Sequence, residues 1–146
     1  MSETLLKQTI SKYQSQKKLS GKLFDLYMLM NDWVRVRQQG KRLADYFRAH
    51  DYHQVTIYGM NYVGETLISE LNGSDIQVVC GIDRNAANIS AAIPVVTPSE
   101  YHESSDVVVV TPVTFFDDIY DDLVQKVSCP IVSMEDVLYE ALKDMF

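Results

Sequence analysis

Basic side chains are scarce over most of this chain. Residues 51–146 hold three of them, Arg84, Lys126 and Lys143, against 16 acidic ones, a balance of −13. The whole chain has 13 Lys+Arg and 20 Asp+Glu, so residues 1–50 keep 10 basic and 4 acidic side chains, or +6, and the sum is −7. An acidic main body excludes DNA or RNA as the principal partner. Long hydrophobic runs are missing too. No stretch approaches the roughly 18 apolar residues of a membrane span, so none is expected. Cysteine is limited to Cys80 and Cys129, 49 positions apart with no CxxC, which excludes a disulfide framework and reads as reduced, buried thiols. Met1-Ser2-Glu3-Thr4 lacks the basic start and apolar core of a secretory leader, so a cytoplasmic location is expected. Internal repeats, low-complexity tracts and Pro-rich linkers are absent, as are a Walker A motif, GxSxG and HExxH.

What is present suits a single domain with a modest extension. Of 146 residues, 47% are hydrophobic and 10% aromatic, enough for a real core. Residues 4–17 predict a short helix with Leu5, Leu6, Ile10 and Tyr13 roughly on one stripe, and Ser20-Gly21 is expected to break it. A longer helix follows from about Lys22 to Gln39, then Gly40, then a helical piece over 41–50. The long helix is apolar around much of its circumference, through Leu23, Phe24, Leu26, Tyr27, Leu29, Met30, Trp33, Val34 and Val36. Such a helix needs cover on more than one side. Either its own sheet supplies that cover, or a second protomer does.

From residue 54 the period changes. Strands are expected at Gln54–Tyr58, Ile76–Ile82, Pro94–Val96, Asp106–Val110 and Pro130–Ser133. Helices are expected at Tyr62–Leu71, Phe116–Val127 and Glu135–Asp144, with a helical turn near Thr97–Tyr101. That alternation predicts an α/β fold, a Rossmann-like doubly wound parallel sheet of five strands behind an N-terminal helical arm. The arm covers residues 1–50 and is a candidate oligomerisation element; residues 51–146 are expected to form the Rossmann-like domain. Asp83–Ile93 is short for a helical crossover.

The strongest motif is Gly59-Met60-Asn61-Tyr62-Val63-Gly64, which leaves a strand, opens a helix and precedes Asp83 at the end of the next strand. That is the context of the dinucleotide-binding fingerprint. Gly59 allows the tight turn, the helix start at Tyr62 offers N–H groups to a phosphate, and Gly64 lets helix and strand approach. Asp83 can accept hydrogen bonds from ribose hydroxyls. The second glycine is replaced by Asn61, whose tolerance of left-handed backbone and whose amide both fit a phosphate turn. Arg84 stands where a base could meet a 2′-phosphate, and Thr111 and Pro112 follow the fourth strand where open parallel sheets bind ligands.

Val55–Leu71, Gly81-Ile82-Asp83-Arg84-Asn85, Ile93–Val96, Val107–Pro112 and Pro130–Asp136 together resemble the CoA-binding-like Rossmann domain of bacterial polysaccharide-biosynthesis proteins, the nucleotide-sugar epimerase/dehydratase-like group. The resemblance covers about residues 53–140. It implies a nucleotide or nucleotide-sugar ligand at Gly59–Gly64, Asp83 and Thr111-Pro112, with a glycan-biosynthesis enzyme as partner. NAD(P) or a nucleotide-sugar fits the few cations; CoA, with more phosphates, fits them less well. In those proteins the domain accompanies membrane helices and a catalytic domain, and here the basic arm stands in their place.

Other patterns favour a structural reading. Tyr13/Lys17 and Tyr139/Lys143 match the Tyr-x-x-x-Lys of short-chain dehydrogenases, but Ser133 precedes Tyr139 by six residues where that family has about a dozen. Ser133-Met134-Glu135-Asp136 reads as a helix cap with acidic residues in the first turn. The DDxxD at Asp117–Asp121 opens a helix, where aspartates oppose the macrodipole favourably. His50 and His53 lack a third metal ligand, and His102 stands alone. Three functional classes follow: a ligand-binding accessory protein, a small NAD(P)-dependent enzyme using Tyr62 or Tyr139, and an interaction module with a lapsed site. The charge split further predicts that the arm docks on an acidic body, its own or a partner's, and lends Lys or Arg to a neighbouring site.

Overall fold

The computed structural model describes residues 2–102 and 104–143. The elements run α1 (Glu3–Gln38), α2 (Leu43–Ala49), β1 (Gln54–Tyr58), α3 (Tyr62–Leu71), β2 (Gln77–Ile82), β3 (Val95–Val96), β4 (Val107–Val110), α4 (Phe116–Leu123), β5 (Ile131–Ser133) and α5 (Met134–Leu142). The five strands form one parallel sheet in the order β3-β2-β1-β4-β5. This is the Rossmann-like α/β architecture that the alternation of strands and helices predicts. Its strand order reverses between β1 and β4, the site of the topological switch.

Alternation along the strands explains why both faces need cover. Val55, Ile57, Val107 and Val109 point into a core with α1, α2, α3 and α5. Tyr58, Cys80, Ile82, Val108 and Val110 point the other way, onto α4 and Tyr101. A central strand such as Val107–Val110, buried on both faces, therefore reads as unbroken valine. Between β2 and β3 the short segment holds one 3-10 turn at Ala86–Asn88, and the expected turn near Thr97–Tyr101 is a hydrogen-bonded one rather than a helix. The final helix closes at Leu142, and Asp144 lies outside the described residues. Cys80 is buried as expected; Cys129 is only half-buried.

One expected break is absent. Ser20 and Gly21 sit inside a single unbroken helix, α1. Their propensity deficit is about 1 kcal/mol or slightly more, too small to end a helix when no proline removes an N–H. The C-terminal third of α1 docks on the sheet by burying Leu29, Trp33 and Val36. Each contributes about 1.5–3 kcal/mol, more than the ion pairs around them. The Trp33 indole donates to Glu70 Oε1 at 3.1 Å, and Arg37 reaches Glu70 Oε2 at 2.9 Å. Arg48 holds Asp75 at 2.8 Å, and Lys41 Nζ donates to the Ala141 carbonyl at 2.7 Å. The basic arm thus docks on the acidic body of its own chain. Among the described residues no helix is long and apolar enough to cross a membrane.

At the opposite end of the sheet, Asp106 Oδ2 accepts the backbone N–H groups of Gln54 and His53, each at 2.8 Å. These bonds hold the Asp106 carboxyl below the usual carboxylate range. A lowered folded-state pKa gives stability that is complete above the unfolded value near 4 and lost as pH falls through the folded value. Asp106→Ala is expected to flatten the loss of stability below about pH 4, measured by urea unfolding across pH. Trp33→Ala should cost about 3–5 kcal/mol in the same assay, followed by far-UV circular dichroism because the chain has one tryptophan.

Candidate functional site

The carboxyl ends of β1 and β4 meet at the switch point, and glycine makes the meeting possible. Gly59 leaves β1 with φ +96, its N–H donating to the Ile82 carbonyl at 2.8 Å. A Cβ there would strike Thr111 Oγ1 and stand 2.7 Å from Pro112 Cδ. At Gly64 a Cβ would run into the Gly59 carbonyl oxygen, so the first turn of α3 rests directly on the loop. Gly81 does the same for β2, because Met60 Sδ lies 2.6 Å from where its Cβ would be. Three glycines thus set the spacing of loop, helix and strand.

Polar groups lock this arrangement. Thr111 Oγ1 donates to the Gly59 carbonyl at 2.8 Å, with the Tyr58 carbonyl at 3.1 Å. Its single proton is therefore committed to the loop, and it offers a ligand only a lone pair. Asp83 Oδ2 accepts the Met60 N–H at 2.9 Å and Oδ1 accepts the Asn85 N–H at 2.8 Å. The expected ribose acceptor is thus also a brace across the turn. Each oxygen keeps a further lone pair, so ribose hydroxyls could still donate to it.

Asn61 is exposed and extended, with φ −81 and ψ −153. The left-handed geometry that Asn tolerates is not used here. Nor does its side chain cap α3, whereas Ser2 and Ser133 do cap α1 and α5. The α3 N-terminus therefore keeps N–H groups free of side-chain acceptors, with Glu65 the first residue bonded within the helix, to the Asn61 carbonyl. Val63 turns its side chain into the core, and Tyr62 stands 77% exposed at the rim.

Around these residues lies a groove of three adjoining hollows, all bordered by Asp83. The first, about 290 Å³, brings together Gly59, Asn61, Tyr62, Val63, Asp83, Thr111 and Pro112. The second, about 300 Å³, adds Arg84 with Tyr58, Phe115 and Asp118. The third, about 270 Å³, runs from Met60 and Asn61 to Asn85, Asn88 and Ser90. Of the predicted residues only Gly64 lies behind the lining, where it acts through packing.

Sequence reasoning missed one wall. Lys22, Asp25, Leu26 and Leu29 of α1 close the first hollow opposite Tyr62. Asp25 accepts from Thr114 Oγ1 at 2.8 Å, and Lys22 Nζ lies 4.7 Å from the Phe115 ring centre, so α1 pins the segment after β4. Lys22 thus brings one cation of the basic arm to the wall of a hollow in its own chain. Nothing in the periodicity of α1 marks the turn that overhangs the sheet edge.

The remaining patterns resolve locally. His50 pairs with Glu140 at 2.7 Å and His53 with Asp51 at 2.9 Å. Among the described residues no three His, Cys, Asp or Glu side chains gather as a metal site. Lys143 lies 5.9 Å from the Tyr139 ring centre on α5, and neither residue lines the groove. Burial raises the Tyr46 phenol well above its ordinary value, within the α2 core and away from the groove. No protein-family model, curated protein or solved structure matches this chain.

Asp83→Ala strands the Met60 and Asn85 amides and is expected to cost about 1–3 kcal/mol in urea unfolding. An unchanged midpoint would show that the brace contributes nothing.

Proposed function

We propose that the protein is a nucleotide- or nucleotide-sugar-binding accessory or regulatory protein of bacterial surface-polysaccharide biosynthesis. The observation that carries the binding half is the uncapped α3 N-terminus opening onto a groove beside Asp83 at the switch point. A diphosphate would lie over the N–H groups of Tyr62–Gly64, drawn by the helix dipole and by Lys22 at the groove wall. Ribose hydroxyls would donate to the spare lone pairs of Asp83, and Tyr62 and Phe115 supply aromatic surface for a base. Acidic groups outnumber cations around the groove, where Asp25, Asp83 and Asp118 face Lys22 and Arg84. That balance favours NAD(P) or a nucleotide-sugar over CoA. The pathway half rests on the sequence resemblance over residues 53–140 and carries with it a glycan-biosynthesis enzyme as partner. The arm makes the protein a homo-oligomer.

A catalytic role needs a base and a proton donor over the ligand. Tyr62 reaches the rim while Tyr139 lies outside the lining, so the binding reading is preferred. Isothermal titration with NAD(H), NADP(H), CoA and UDP-sugars tests it. Saturable heat is expected with a nicotinamide nucleotide or a UDP-sugar, weakened about tenfold or more by Asn61→Glu, which sets a carboxylate against the diphosphate. Flat titrations throughout, with folded protein, would leave an interaction module with a lapsed site.

A further inference from the structure

We infer that the third hollow is a glycosyl subsite, which takes the neutral, hydroxyl-rich sugar of a nucleotide-sugar and turns away uronates and nucleobases. The inference rests on the proposed nucleotide-sugar reading of the groove. It deepens that reading by naming the sugar class and the direction in which the ligand lies.

The hollow, about 270 Å³, lies between the first turn of α3 and the segment that leaves β2. Asn61 and Asp83 border both it and the first hollow, so the two meet at the start of α3. A diphosphate held over that start therefore has a hollow on either side. Their chemistry differs. The first is walled by Leu26, Leu29, Val63, Tyr62 and Phe115, apolar surface on which a planar base can rest. In the third the apolar lining residues are committed elsewhere. Met60 is 2% exposed and lies against Gly81, and Ile89 packs on the core.

Hydrogen-bonding capacity is what remains. Asp83 Oδ1 accepts the Asn85 N–H at 2.8 Å, and the Asn88 amide donates to Asn85 Oδ1 at 2.6 Å. That chain ties together the wall opposite α3, and it leaves the Asn85 amide nitrogen and the Asn88 amide oxygen unused. The side chains of Asn61, Glu65 and Ser90 have no partner among the described residues. The lining thus mixes acceptors with donors. A sugar hydroxyl carries one proton and two lone pairs, so a ring bearing several of them can answer both.

Charge narrows the class. Glu65 and Asp83 line the hollow, and among the described residues no Lys, Arg or His does. A sugar carboxylate or a further phosphate would meet two like charges with no cation to offset them. The cations of the groove stand at the other hollows, Lys22 in the first and Arg84 in the second. The ligand would then run from its base near the α1 wall, past Asp83 and the α3 start, to its sugar beside Asn88 and Ser90.

Isothermal titration with UDP, UDP-glucose and UDP-glucuronate tests the assignment. UDP-glucose is expected to bind about tenfold more tightly than UDP, a modest gain because each new hydrogen bond replaces one to water. UDP-glucuronate should show no such gain. Asn88→Ala/Ser90→Ala, at exposed positions, should bring UDP-glucose down to the affinity of UDP and leave UDP unchanged. Glu65→Gln should narrow the preference for UDP-glucose over UDP-glucuronate by roughly threefold or more, a ratio in which any effect on the diphosphate cancels. Equal affinities for UDP and UDP-glucose would overturn the subsite and leave nucleotide binding standing. If Asn88→Ala/Ser90→Ala weakened UDP as much as UDP-glucose, the hollow would hold the nucleoside and the direction would be overturned. Flat titrations with all three would remove the nucleotide-sugar reading on which the subsite rests.

Discussion

The closest constraint in this fold is the contact between the loop after β1 and the loop after β4. Gly59 can pass Thr111 and Pro112 only without a Cβ, and Gly64 can rest on the Gly59 carbonyl only under the same condition. Everything around the groove follows from that approach. It sets the height of α3 above the sheet, aims the first turn of α3 at the switch point, and lets Thr111 tie two successive carbonyls with one hydroxyl. Asp83 fixes the same loop from the other side through Met60 and Asn85. A turn held by glycine packing and two side-chain braces is pre-organised, so little ordering remains for a ligand to impose.

The arm is subordinate to the sheet but not separate from it. Burial of Leu29, Trp33 and Val36 dominates its docking, and Arg37 and Arg48 add position more than energy because both stay partly solvated. Glu70 differs, since its side chain is 5% exposed and accepts from both Trp33 and Arg37. A buried carboxylate with two donors orients the helix, and that orientation carries Lys22 and Asp25 over the groove. The charge asymmetry of the sequence is thus resolved partly within one chain.

Much of the fold was legible because strands and helices here differ sharply in period. The valines of β4, the boundaries of β1 and α3, and the cap at Ser133 follow from local rules. The continuity of α1 did not, because Ser20-Gly21 is a weak local signal overruled by the helix on both sides. At the site, the fingerprint located the turn and Asp83 correctly, since glycine spacing reports backbone approach directly. It could not reveal that both oxygens of Asp83 brace the turn, or that Asn61 adopts ordinary extended backbone, because those depend on which amides the folded loop turns inward. The overhanging wall was equally hidden. A helix period tells which residues share a face, but not where along the 36 residues of α1 the sheet edge falls.

The same helix that walls the groove also carries exposed apolar side chains, on the opposite side of its last four turns. Lys22, Asp25 and Leu26 face inward, while Phe24 and Tyr27, interleaved with them, face out. On the proposed self-association of the arm, holding the outer side would stiffen the inner one, because a helix turn cannot reorient one face without the other. Thr114 and Phe115, tied to Asp25 and Lys22, would stiffen with it. Assembly and ligand binding would then share one rigid element, and a ligand that displaced α1 from the Thr114 segment would weaken the assembly by the same free energy with which the assembly opposed the ligand.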